Sequence, residues 1–176
     1  MTDAKERKDS LKKRTGSRLM AVMALHHAAQ LDQGEGAASQ DLTTLFKDSA
    51  LAADLKDEGI EGDADYLQEL VRPFHQTSLT HFDDLIDKTL EKPWTSDRIE
   101  SLLLAFLRAA AAELVCVPET PAPLVINEYV SLAFRFFCGK EPNLLRASLE
   151  KIKNNTADPE GASSDDASKS AKEPSV

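Results

Sequence analysis

The apolar residues of this chain recur every three to four positions and nowhere alternate, a period that restricts the possible folds more than any other property of the sequence. Leu19, Val22, Met23 and His26 form one stripe, widened by Met20 and Leu25, which predicts a helix from about Ser17 to Gln30. Gln33-Gly34-Glu35-Gly36 ends it, and a short second helix is expected over Asp41 to Ala53. After an acidic loop at 57–63, Tyr66, Leu67, Leu70 and Val71 open a third helix near Asp63. Pro73 falls inside the apolar pattern that continues through Phe74 to Leu90, so a kink or break is expected there. Trp94-Thr95-Ser96-Asp97 reads as a helix start, with a Ser or Asp cap, leading into Ile99 to Leu114, a run apolar on nearly every side. The proline-rich loop 117–123 separates it from two last helices, about Leu124 to Phe137 and Asn143 to Lys153. With no period-two segment and no internal repeat, the expected fold class is all-α.

Seven glycines, eight prolines and 6% aromatics suit helices better than twisted sheets, and 176 residues suffice for one domain with tails. Residues 1–10 and 154–176 offer almost nothing to bury, so the folded domain is expected over 11–153, between a disordered N-terminal arm and a disordered acidic, Ser-rich tail. Cys116 and Cys138 stand in no C-x-x-C arrangement and read, with Phe136 and Phe137, as buried apolar fillers. No apolar h-region opens the chain, and Leu102 to Cys116 is too short and too charged to span a bilayer, which points to a cytoplasmic protein without a membrane partner.

Charge is distributed unevenly. Residues 1–18 hold seven Lys/Arg against three Asp/Glu, a net of +4, which leaves −13 on the rest of a chain whose total is −9. A basic arm on an acidic body suits docking on a polyanion, while the body discourages indiscriminate binding. The densest part, Lys12-Lys13-Arg14-Thr15-Gly16-Ser17-Arg18, runs into the first apolar stripe. Lys12, Lys13, Arg14 and Arg18 are therefore the candidate phosphate contacts, helped by free N–H groups if the helix starts at Ser17, and Lys140 and Arg146 are the next candidates. As exposed charges at a helix entry, Arg14 and Arg18 are expected to be replaceable without loss of the fold. Asn127-Glu128 reads first as a polar group tying one helix to its neighbour, and otherwise as a surface contact.

Nothing points to catalysis. His26, His27, His75 and His81 have no metal-ligand spacing, no nucleophile elbow or phosphate-cradling glycine loop occurs, and the acidic pairs Asp83-Asp84 and Asp165-Asp166 suit solvated positions. No enzyme activity, cofactor, metal or small-molecule substrate is expected.

Three stretches carry a resemblance. Arg14-x-x-Ser17-Arg18-Leu19-x-Ala21-Val22-x-Ala24-Leu25 resembles the arginine-rich opening of the NusB family, and Leu107-Arg108-x4-Glu113-Leu114 resembles its central helix. Val125-Ile126-Asn127-Glu128-Tyr129-Val130, followed without gaps by Phe136-Phe137-x-Gly139-x-Glu141-Pro142, is close to the pattern of one bacterial branch. The resemblance covers about residues 12–153. It implies two packed helical subdomains of about seven helices and a transcription antitermination factor. Its implied partners are boxA-type single-stranded RNA of ribosomal-RNA leaders, ribosomal protein NusE and the RNA polymerase antitermination complex, with Arg14 and Arg18 on the RNA. His26 stands where a tyrosine is common, Leu103 and Leu104 where a charged pair is common, and Leu144-Leu145-Arg146-Ala147 where an aromatic and an amide are usual. Two other readings of such a chain are a diverged protein-docking module and an RNA-delivery module for a ribosomal-RNA methyltransferase.

Overall fold

The structure, a computed structural model, describes residues 2–31, 50–76, 79–92 and 94–157. Among them are seven α-helices and no strand: α1 (Thr2–Leu31), α2 (Ala50–Asp57), α3 (Ala64–Gln76), α4 (Leu79–Asp87), α5 (Ser101–Cys116), α6 (Ala122–Ala133) and α7 (Glu141–Ala157). The first part of the expected second helix, residues 41–49, and most of the C-terminal tail, 158–176, lie outside the described residues.

α5 is the hub. Phe106, Leu107, Ala105 and four consecutive alanines, Ala109 to Ala112, are buried, and small side chains around the helix let neighbours approach closely on several sides. α1 and α3 pack on it as one group and α4, α6 and α7 as another, with α1 also touching α6. Phe82, Ile86, Ile126, Tyr129, Leu145, Leu149 and Ile152 fill the second group, and Leu19, Val22, Leu70 and Val71 the first.

Several expected boundaries move. α1 begins at Thr2 rather than Ser17, so the segment expected as a disordered arm is helical from residue 2 onward, although residues 5–14 are exposed. Ala4, Lys5, Glu6, Arg7, Lys8, Leu11, Lys12 and Lys13 are good helix formers, and extending a helix already held in a core avoids the cost of nucleating a new one. α3 runs past Pro73 to Gln76, so the proline neither breaks it nor marks its last residue. The 94–97 segment is a turn rather than a helix start. Asp87 at the end of α4 accepts hydrogen bonds from the Ser96 backbone N–H (2.6 Å) and hydroxyl (3.1 Å), and α5 begins only at Ser101. α6 starts at Ala122, with Pro123 tolerated in the first turn, and ends at Ala133. Cys116, Cys138 and Phe136 are exposed rather than core, since the chain leaves its helices at these positions, whereas Phe137 is buried.

Two small residues explain how α1 meets the rest. A side chain at Gly16 would lie 2.0 Å from the Glu61 carbonyl oxygen, so only glycine lets the 59–62 loop press against the helix there. One position on, the Ser17 hydroxyl oxygen accepts the Asp63 N–H at 2.8 Å. Asp63 in turn caps α3, its carboxylate accepting the N–H groups of Asp65 and Tyr66 at 3.1 Å.

Candidate nucleic-acid interface

Where α1 enters the core, its polar residues divide into a buried set and an exposed set. Arg18 is only 3% exposed, and Glu113 of α5 is fully buried beneath it. The pair is bidentate: Arg18 Nη2 donates to Glu113 Oε1 at 2.7 Å and Nε to Oε2 at 3.0 Å. Nη2 also donates to the Tyr66 hydroxyl oxygen at 2.8 Å, and that hydroxyl donates to Glu113 Oε1 at 2.6 Å, closing a triangle. Half-buried Glu128 of α6 lies 3.5 Å from Arg18 Nη1 and accepts the Thr15 hydroxyl at 2.5 Å. Burial alone disfavours the Arg18 charge, but the hydrogen bond and charge of Glu113 outweigh it and raise the guanidinium pKa. Burial and the hydrogen bond to Glu113 push the Tyr66 phenol up to about 12. Buried Tyr129 is raised well above its ordinary value, by desolvation and then by the Glu113 charge.

The expected phosphate contacts are thus not equivalent. Arg18 faces inward and its guanidinium is taken up by two carboxylates and a phenol, so its assignment as an RNA contact is corrected: it joins α1, α3, α5 and α6. The assumed gift of free N–H groups beside it fails too, because the helix N-terminus lies some four turns earlier. Lys12, Lys13 and Arg14 are exposed on α1. The Arg14 guanidinium carbon lies 4.9 Å from the centre of the Tyr66 ring, and Lys13 pairs loosely with Glu61 at 3.8 Å. Among the described residues, no hydrogen bond or ion pair joins Lys140 or Arg146 to these or to each other. Lys140 lines a separate groove of about 540 Å³ beside Trp94 and Leu144, and Arg146 donates to Asn127 Oδ1 on α6 at 3.1 Å.

Tyr66, Glu113, Glu128 and Thr15 were not among the expected site residues. For Glu113 a signal existed, since a carboxylate inside a run as apolar as 102–116 requires a cationic or hydrogen-bonding partner. Its partner's position in the sequence gave no clue. Among the described residues, no group of three or more His, Cys, Asp or Glu side chains is arranged to hold a metal, and no helix is long and apolar enough to cross a membrane.

The class these features define is a small all-helical binding protein, with a cationic helix face anchored on a buried arginine–glutamate pair. The NusB family model matches residues 15–154, and the chain belongs to the NusB family, one of transcription antitermination factors rather than enzymes. The transcription antitermination protein NusB of Bartonella tribocorum is 33% identical over 156 residues, covering 86% of this chain and 96% of that one. Its namesake in Sinorhizobium medicae is 31% identical over 140 residues, covering 79% and 84%. The solved structure of T. maritima NusB shares the fold, with a TM-score of 0.62 at 24% identity over 82% of this chain and 92% of that one.

Proposed function

We propose that this protein is an RNA-binding transcription antitermination factor that engages boxA-type single-stranded RNA together with ribosomal protein NusE, as part of an RNA polymerase antitermination complex in the cytoplasm. The observation that carries this reading is the exposed Lys12-Lys13-Arg14 segment, with Arg14 held over the Tyr66 ring, on a chain whose net charge is −9. A guanidinium stacked on an aromatic face keeps its N–H edge free for phosphate or a base edge while losing part of its conformational freedom in advance. The two lysines supply mobile charge for neighbouring phosphates. Lys140 and Arg146, exposed near the start of α7, are the candidates for a more distant part of the same RNA.

The test is a titration of the full chain with a boxA-type RNA and with a scrambled RNA, each with and without purified NusE. At least three phosphate contacts on a single strand correspond to a slope of log K against log salt of about −2 or steeper. The reading expects that slope, tighter binding of the boxA-type RNA, and a further gain with NusE. Equal binding of both RNAs, or none of either, rejects it in favour of a protein-docking module.

A further inference from the structure

Beside the exposed half of α1 runs a groove of about 750 Å³, closed on one side by the 59–61 loop and on another by the end of α6. Lys8, Lys12 and Lys13 line it from α1, and Arg135, in the turn that follows α6, lines it from a segment far along the chain. Asp9 and Glu61 are the carboxylates of the lining, so the groove is net +2 in a chain of net −9. Glu61 is engaged by Lys13, whereas the Arg135 side chain makes no ion pair or hydrogen bond with any described residue. Gathering cations from two elements around one cleft costs Coulomb energy, which a bound anion removes.

The cleft is not purely electrostatic. Leu11, 58% exposed, and half-buried Ile60 also line it. Apolar surface between cations does nothing for an inorganic anion but matches a nucleotide, which offers a base face next to its phosphate. A double helix, stiff and wide with its bases paired inward, does not fit a cleft of this size, whereas unpaired nucleotides do. We propose that this groove carries the backbone of single-stranded RNA, and that Arg135 binds a phosphate from the α6 side while Lys8 and Lys12 bind from α1. The inference rests on the RNA-binding reading above and adds the turn after α6, which the sequence does not single out, to a grip centred on α1.

The test uses Arg135→Ala, Arg135→Lys and Arg135→Glu in the full chain, with circular dichroism to verify that each is folded, and a fluorescent boxA-type RNA oligonucleotide as probe. Loss of one charge-assisted contact weakens binding roughly tenfold for Arg135→Ala, and the salt slope flattens by about 0.7. Arg135→Lys keeps the slope, and Arg135→Glu binds more weakly than Arg135→Ala. Undiminished binding by folded Arg135→Ala overturns the inference and leaves the RNA-binding reading standing, whereas a parent protein that binds no RNA overturns both. Two further outcomes sink the groove assignment: a duplex of the same sequence binding as tightly as the single strand, or a polyglutamate peptide displacing the RNA at comparable concentration, which would indicate an acidic protein partner.

Discussion

Arg14 and Arg18 stand about one helical turn apart on α1 and carry the same side chain, yet the fold uses them in opposite ways. Arg14 lies outside the core against the face of Tyr66; Arg18 lies inside, bound to the hydroxyl of the same tyrosine and to Glu113. Depth along the helix separates them, because the 59–63 loop, fitted against Gly16 and Ser17, closes over α1 between the two. Tyr66 connects the regions: its hydroxyl belongs to the buried network, and its ring lies against both guanidinium groups, Arg14 at 4.9 Å and Arg18 at 5.4 Å from the ring centre. The comparison teaches that a run of basic residues passing from the exposed to the buried part of a helix is not one functional unit, and that its inner member can hold the outer members in place.

The strongest way to break this comparison is to remove the inner arginine. Arg18→Ala leaves the Glu113 carboxyl fully buried without its cationic partner, and loss of one half of such a pair typically costs about 3–5 kcal/mol. Chemical denaturation should show a loss of this order, and RNA binding should fall only as far as the folded fraction falls. If Arg18→Ala is as stable as the parent but binds RNA poorly, the two arginines have the same job and the distinction fails. The double variant Arg18→Met with Glu113→Leu should recover most of the stability, since removing both charges strands neither.

Tyr66→Phe tests the connection itself. It deletes the hydroxyl that bridges Arg18 and Glu113 and keeps the ring under Arg14, so an expected loss of about 1–3 kcal/mol in stability comes with nearly unchanged RNA affinity. The same hydroxyl predicts a pH dependence. Its folded pKa of about 12 lies above its ordinary 10.0, so the neutral phenol is favoured in the folded state. The stability it contributes is complete below pH 10 and lost as pH rises toward 12, where the unfolded chain has released a proton that the folded chain retains. Denaturation midpoints between those limits should fall less steeply in Tyr66→Phe than in the parent. Tyr129, raised in the same direction, leaves a residual slope in both.

How much of this was legible in the sequence follows from what each signal measures. Periodicity measures burial against a core, and Leu19, Val22, Leu70, Phe82, Leu107 and Leu149 are buried as the 3.6 period requires. It says nothing of exposed helix, which is why α1 was expected fifteen residues later than it begins. Default apolarity misplaced Cys116, the last residue of α5, and Phe136 and Cys138, which follow the end of α6. Charge density singled out Lys12, Lys13, Arg14 and Arg18 together and could not set Arg18 apart from the exposed three, because its depth depends on Glu113, far away in the chain. Glu128, beside Asn127, was legible as a helix-tying group and serves as one, reaching Thr15 and Arg18 of α1.

The smallest expected effect on folding is also the sharpest test of the outer region. Arg14 touches the protein through the face of Tyr66, an exposed cation–π contact of the kind that contributes about 0.5–1 kcal/mol, so Arg14→Ala should shift stability by no more than that. On RNA it should flatten the salt slope by about 0.7 and weaken binding at every salt concentration tested. Arg14→Lys separates charge from shape. Lysine restores the charge and therefore the slope, but it lacks the planar edge that stacks on Tyr66 and bonds in pairs, so affinity should remain below that of the parent at equal slope. If lysine restores affinity fully, Arg14 acts as a point charge and the tyrosine beneath it does nothing for RNA. If neither variant changes binding, the RNA does not pass over this turn of α1 at all.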